Sequence, residues 1–140
     1  LNAYLDTSVL ASMFAPDVHS GRLEEWLPRA AGRLALSHWT LAEFTSVLAR
    51  SARVGRLTIT ERERTEAALD DWTARQSAVY AVVSADVTEA RELIRSGRYP
   101  LRAPDALHLV VARRRGASLA TFDEAMRRAA LDLGIQVEAI

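Results

Sequence analysis

The chain predicts an α/β fold: a single domain over residues 1–140 with a central, mostly parallel sheet of four or five strands and helices on both faces. Three observations carry this expectation. Short apolar runs alternate along the chain with segments of helical spacing, the order that builds a parallel sheet. The runs are apolar nearly throughout, as strands covered on both faces should be. A length of 140 residues, 49% hydrophobic and 26% charged, suits one folded domain with a real core.

The elements follow in order. Residues 2–5 (NAYL) read as the first strand, followed by a helical pair at 7–14 and 20–30. Residues 33–36 (RLAL) give the second strand, and 38–53 a long helix ended near Gly55. The next helix, 60–76, is polar, with Thr60 as its N-cap and Glu63 completing a capping box. Its acids (Glu61, Glu63, Glu66, Asp70, Asp71) are interleaved with arginines and read as a solvated face. Residues 79–83 (VYAVV) form the third strand, and Asp86 caps a helix over 87–96 that stops at Gly97. A helix over 104–115 starts with Pro104 at its first position and stops at Gly116. Residues 117–120 (ASLA) are the fourth strand, 123–133 the last helix before Gly134, and 135–138 (IQVE) a candidate fifth strand.

Composition excludes several chemistries. There is no cysteine, so disulfides and zinc–thiolate sites are impossible. All 18 basic residues are arginine, so mechanisms that need a lysine are excluded, Schiff-base chemistry and the Walker A loop among them. A receiver domain of the response-regulator kind also needs a lysine beside its acyl phosphate and fails on the same ground. The net charge is zero, so any nucleic-acid contact must be a local patch. No apolar run approaches the ~20 residues that span a bilayer. The start LNAYLDTS runs straight into a strand, without a signal-peptide pattern. A cytoplasmic protein without membrane contact is expected.

Four acids carry the functional reading: Asp6 in AYLDTSVL, Glu43 in LAEFTSVLA, Asp105 in RAPDALHLVVA and Asp123 in LATFDEAM. Asp6 follows the first strand, Asp123 lies just beyond the fourth, Glu43 sits about two turns into the helix after the second, and Asp105 lies in a first helical turn. In open α/β sheets ligands bind at the carboxyl ends of the strands, and all four can point to that edge. Clustered carboxylates repel unless protonated or neutralised by cations, and hard divalent cations with oxygen ligands are the usual solution. Each acid also has a structural alternative. Asp6 and Asp123 suit N-caps, with Thr121 sharing the second. Asp105 suits a partner for the helix dipole. Glu43 borders the apolar stripe, beside Trp39. His108, one turn after Asp105, reads as a packed, hydrogen-bonded histidine or as a general base. Arg113, Arg114 and Arg115 end a helix, where cations favour its dipole, and point away from the acids.

These residues, in this order, resemble the PIN-domain nucleases, and most closely the VapC-type toxins of toxin–antitoxin pairs. The stretches YLDTSVL, LAEF, RAPDALHLVVA and ATFDEAM carry the likeness, which covers essentially the whole chain. It implies that Asp6, Glu43, Asp105 and Asp123 form an acidic quartet that binds Mg²⁺ or Mn²⁺. Thr7, Ser8 and Thr121 match positions whose hydroxyls support that site, and His108 a position that varies. The implied activity is a metal-dependent endoribonuclease, its partners an RNA substrate, an inhibitory antitoxin and a second copy in a homodimer. Met13, Phe14, Trp39 and Phe44 are mostly core, with some left to line a groove for an antitoxin segment.

In such a site the cation reverses the local sign, polarises the phosphoryl oxygen and activates a water. Asp6 and Asp105 are the expected direct ligands, Glu43 and Asp123 direct or through water. Arg102, close before Asp105, and Arg127, one turn after Asp123, are best placed to grip phosphate. The alternatives are a non-catalytic binding module of the same fold and an RNA-processing nuclease without an antitoxin.

Overall fold

The computed structural model describes residues 1–140. Four parallel strands stand in the order β3-β2-β1-β4: β1 Ala3–Leu5, β2 Leu34–Ser37, β3 Ala78–Tyr80 and β4 Ser118–Ala120. The candidate fifth strand reduces to a single parallel bridge, Leu119 to Val137, outside β4. Around the sheet lie α1 Thr7–Phe14, α2 Ser20–Ala30, α3 His38–Arg53, α4 Ile59–Gln76, α5 Ser84–Arg95, α6 Ala103–Arg114 and α7 Glu124–Asp132.

The period of two in the strands divides the core. Tyr4, Ala35 and Leu119 face one layer, where they meet Ala90 of α5, the body of α6 and Met126, Ala129 and Ala130 of α7. Ala3, Leu5, Leu34, Leu36 and Ala120 face the other, against Val9, Leu10, Leu23, Trp26, Phe44, Leu48 and Leu69 from α1 to α4. Every residue from Ala106 to Ala112 is buried, because α6 is apolar all round and wedges between sheet and neighbours. No helix is long and apolar enough to cross a membrane.

Four helix starts differ from the sequence reading. Thr58 rather than Thr60 caps α4: its hydroxyl accepts from Glu61 N at 3.1 Å and Glu61 reaches back to Thr58 N at 2.7 Å. Two overlapping T-x-x-E patterns competed here, and the earlier one lengthens the helix by two residues, of which Ile59 is an exposed apolar side chain. Asp86 lies inside α5, not at its cap. It accepts from Val83 N at 2.9 Å and takes a forked pair from Arg114 at 2.6 and 2.9 Å. Pro104 is the second residue of α6, after Ala103, and α7 begins at Glu124 with Asp123 as its cap.

The aromatic residues of the early helices mostly join the core. Phe44 is buried, and Phe14 packs between it and Trp72 at centroid distances of 6.1 and 5.8 Å. Trp39 instead lines an apolar cleft of about 440 Å³ with Val87, Ile94 and Leu107, its indole nitrogen without a hydrogen-bond partner.

Candidate active site

The strand order creates a switch point. From β1 the chain crosses to β2 and then β3 on one side, and returns to β4 on the other, so the crevice between the carboxyl ends of β1 and β4 is open to a ligand. The pairing of Leu5 with Ala120 puts the next residues, Asp6 and Thr121, side by side at that crevice. Thr121 Oγ1 donates to Asp6 Oδ2 at 2.5 Å. Ser8 Oγ donates to Asp6 Oδ1 at 2.7 Å, and Val9 N to the same oxygen at 3.0 Å, which makes Asp6 the N-cap of α1. Asp6 is only 2% exposed, and no cation pairs with it. Burial pushes its carboxyl above the ordinary aspartate value, against the pull of the Thr121 and Ser8 hydroxyls.

Glu43 reaches the same edge from α3. Its Oε1 accepts from Thr7 Oγ1 at 2.7 Å and from His108 Nε2 at 2.6 Å. Burial alone would raise its pKa, but these hydrogen bonds and nearby Arg102 outweigh it and hold the carboxyl below the usual glutamate value. His108 Nδ1 lies 2.8 Å from the Tyr4 hydroxyl, which also meets Ser37 Oγ at 2.8 Å and Thr40 Oγ1 at 3.2 Å. A neutral imidazole with its proton on Nε2 satisfies this chain: Tyr4 donates to Nδ1 and Nε2–H donates to Glu43. Burial pushes the Tyr4 phenol up, which keeps it a donor. Sequence reasoning did not identify Tyr4, Ser37 and Thr40 as supports of Glu43. Ser37 and Thr40 carry a signal in retrospect, since they form the capping box of α3.

Asp105 and Asp123 stand at the starts of the two helices bordering this edge. Asp105 Oδ2 accepts from Arg102 N at 3.2 Å and lies 3.7 Å from Arg102 Nε. Asp123 Oδ1 accepts from Met126 N at 2.8 Å, and its own N–H donates to Thr121 Oγ1 at 3.0 Å. The structure therefore joins Thr7, Glu43 and His108 in one hydrogen-bonded group, and Asp6, Ser8 and Thr121 in a second beside it. It ties Asp123 to the second through Thr121 and places Asp105 one turn before His108. Arg102 is exposed above Asp105, and Arg127 lies in a cleft floored by Thr121 and Phe122. Arg113, Arg114 and Arg115 are engaged elsewhere, with Glu89, Asp86 and the Tyr80 ring.

The acids offer hard oxygen donors. Glu43 Oε2, Asp105 Oδ1 and Asp123 Oδ2 accept no hydrogen bond, while Asp6 is buried with neutral donors only. That donor set fits an oxygen-preferring divalent cation in kind. In spacing it is looser: no three Asp, Glu or His side chains are gathered closely enough to hold a metal ion by themselves.

Comparison with known proteins gives three kinds of result. The family model described as the PIN domain matches residues 3–131. No curated protein sequence matches the chain. Among solved structures, the chain is similar to Mycobacterium tuberculosis VapC20, described as a sarcin-ricin loop cleaving toxin, at 22% identity over 91% of this chain and 95% of that one, with a TM-score of 0.73. DNA-bound VapBC from Salmonella typhimurium is 20% identical over 99% and 97%, with a TM-score of 0.70. VapBC2 from Rickettsia felis, bound to a promoter DNA fragment, is 17% identical over 99% and 98%, with a TM-score of 0.69. At these identities the solved structures speak for the fold. The family match spans all four strands and nearly all of the last helix: the chain belongs to the PIN domain family.

Proposed function

We propose that this chain is a divalent-metal-dependent endoribonuclease, the toxin of a toxin–antitoxin pair, that hydrolyses RNA phosphodiester bonds at the Asp6 site. One observation carries the reading: a buried Asp6 carboxylate without a cationic partner sits at the switch point of the sheet, with Glu43, Asp105 and Asp123 on helices that open at the same edge. A carboxylate in that position costs stability unless a cation offsets it, and function is the usual reason such a cost persists. VapC20 and the VapBC complexes, similar in fold, support the assignment of an RNA substrate and of a small antitoxin partner.

Asp6, Glu43, Asp105 and Asp123 would hold Mg²⁺ or Mn²⁺, with water completing a shell that they do not close alone. When bound, the cation supplies charge that offsets the carboxylates, polarises the phosphoryl group and acidifies a water. The protein's own residues do the positioning. Thr121 and Ser8 fix both oxygens of Asp6. Thr7 and His108 engage Oε1 of Glu43 and leave Oε2 free. His108 is a positioning residue here: its two nitrogens are spent on Tyr4 and Glu43. Arg102 and Arg127 supply forked donors for phosphate. Expression of the chain in cells, followed by mapping of new RNA 5′ ends, tests the reading. Wild type should create a small set of ends that the Asp105→Asn variant does not. Identical maps from both would leave a non-catalytic module of the same fold as the better reading.

A further inference from the structure

Arg22, Arg29 and Arg127 converge on a cleft of about 430 Å³ whose floor is Thr121 and Phe122. None of the three is paired with a side-chain carboxylate. Two acids on its walls are already paired, Glu124 with Arg128 at 2.9 Å and Glu138 with Arg33 at 3.4 Å, which leaves Glu25 as the single unpaired side-chain carboxylate of the lining. The cleft is therefore a local positive patch on a chain of zero net charge. One guanidinium is held in advance. Arg22 Nη2 lies 2.6 Å from His19 Nδ1, Arg22 Nη1 donates to the Ile140 carbonyl at 3.3 Å, and its Cζ lies 5.1 Å from the Phe122 ring centre. His19 stacks on Phe122 with centroids 4.0 Å apart and planes 11° from parallel. The floor is continuous with the acidic site, because Thr121 Oγ1 donates to Asp6 and accepts from Asp123 N.

We infer that this cleft is the track of a single-stranded RNA running past the acids: Arg22, Arg29 and Arg127 take its phosphates, and the half-buried His19–Phe122 stack offers a flat surface to an unpaired base. The inference rests on the nuclease reading for its choice of RNA. Guanidinium forks match phosphate oxygens, and arginine with stacked aromatic rings is the combination that binds single strands. An acidic peptide would use the arginines but would leave the stack without a role.

The test measures affinity for a short fluorescent single-stranded RNA across a salt series, in metal-free buffer. A Glu43→Gln background removes turnover. The variants are Arg29→Ala/Arg127→Ala, the milder Arg29→Gln/Arg127→Gln, and Phe122→Leu; Arg64→Ala on α4 is the control. Both arginine pairs should lose about tenfold or more in affinity, and the slope of log K against log salt should fall by about 1.4, the share of two phosphate contacts to a single strand. Phe122→Leu should weaken binding without changing the slope, and the control should match its parent. RNA affinity within about twofold of the parent in both arginine pairs overturns the proposal. So does loss of affinity for a glutamate-rich peptide with RNA binding intact, which would assign the cleft to a protein partner. Cleavage by the unmutated chain is read separately. No cleavage with the predicted loss of binding defeats the nuclease reading and keeps the track, whereas cleavage with unchanged binding does the reverse.

Discussion

Asp6 combines two roles that pull stability in opposite directions. Its side chain caps α1, worth about 0.5–2 kcal/mol when replaced by Ala. Its charge is buried, and burial raises its pKa, so the folded state binds the proton more tightly than the unfolded chain. Stability from this group is therefore greatest below the ordinary aspartate value of 3.8 and declines as pH rises toward the elevated folded value. In metal-free protein at neutral pH, Asp6→Asn should hold or raise the denaturant midpoint, while Asp6→Ala should lower it. If Asn destabilises as much as Ala, the buried carboxylate is not under electrostatic cost. The carboxylates at strand ends were legible because an Asp after a strand stands out in a sequence. The Tyr4–His108–Glu43 chain was not, because it links residues 104 and 65 positions apart and only packing can show that they meet. His108→Leu should cost roughly 1–3 kcal/mol through the stranded partners, and Glu43 should titrate at higher pH, which NMR of the side-chain carboxyl would read.

At the scale of elements, the helices were largely visible and their starts were not. The 3.6-residue period marks a helix body, whereas the start depends on which of several caps wins. At α4 the sequence offers Thr58 with Glu61 and Thr60 with Glu63, and nothing local separates them. At α5 the sequence presents Asp86 as a cap, yet it is drawn to Arg114, which a local reading cannot see. This forked pair ties the start of α5 to the end of α6 and fixes the helix that carries Asp105 and His108. Asp86 is 1% exposed and Arg114 about a third, so Asp86→Ala should cost roughly 3 kcal/mol, the low end for breaking a buried pair. Burial would raise the Asp86 carboxyl, but Arg114 and Val83 N outweigh it and hold the carboxyl low, so this stability is present above the usual aspartate value and is lost as pH falls through the depressed one. The gap between wild type and Asp86→Ala should therefore narrow in acid. A constant gap would show that the loss is packing alone.

The whole molecule brings acids from four segments to one edge of a parallel sheet, and the strand order decides where. Alternating strand and helix announced the parallel sheet. The order that makes β1 and β4 neighbours was not legible, because crossovers leave no local mark in three-residue strands. A fifth strand was offered by an apolar run that forms only one bridge. Since a cation bound only by the folded state stabilises it by mass action, Mn²⁺ at about a hundredfold over its Kd should add roughly 2.7 kcal/mol and raise Tm by several degrees. Asp105→Asn should remove most of that gain, and a flat melting temperature through a manganese titration of wild type would count against the site. On the proposed function these four acids serve catalysis, and the buried Asp6 does so at the cost of stability. The most direct measurement pairs two readings on Asp6→Asn, Glu43→Gln, Asp105→Asn and Asp123→Asn: RNA cleavage rate with Mn²⁺ and denaturant midpoint without metal. Cleavage should fall by at least about 100-fold in each, with the midpoint level or higher for the Asp→Asn variants and lower for Glu43→Gln, whose ionised form the fold favours. Variants that lose stability and keep cleaving would show that the four carboxylates serve the fold and that the chemistry lies elsewhere.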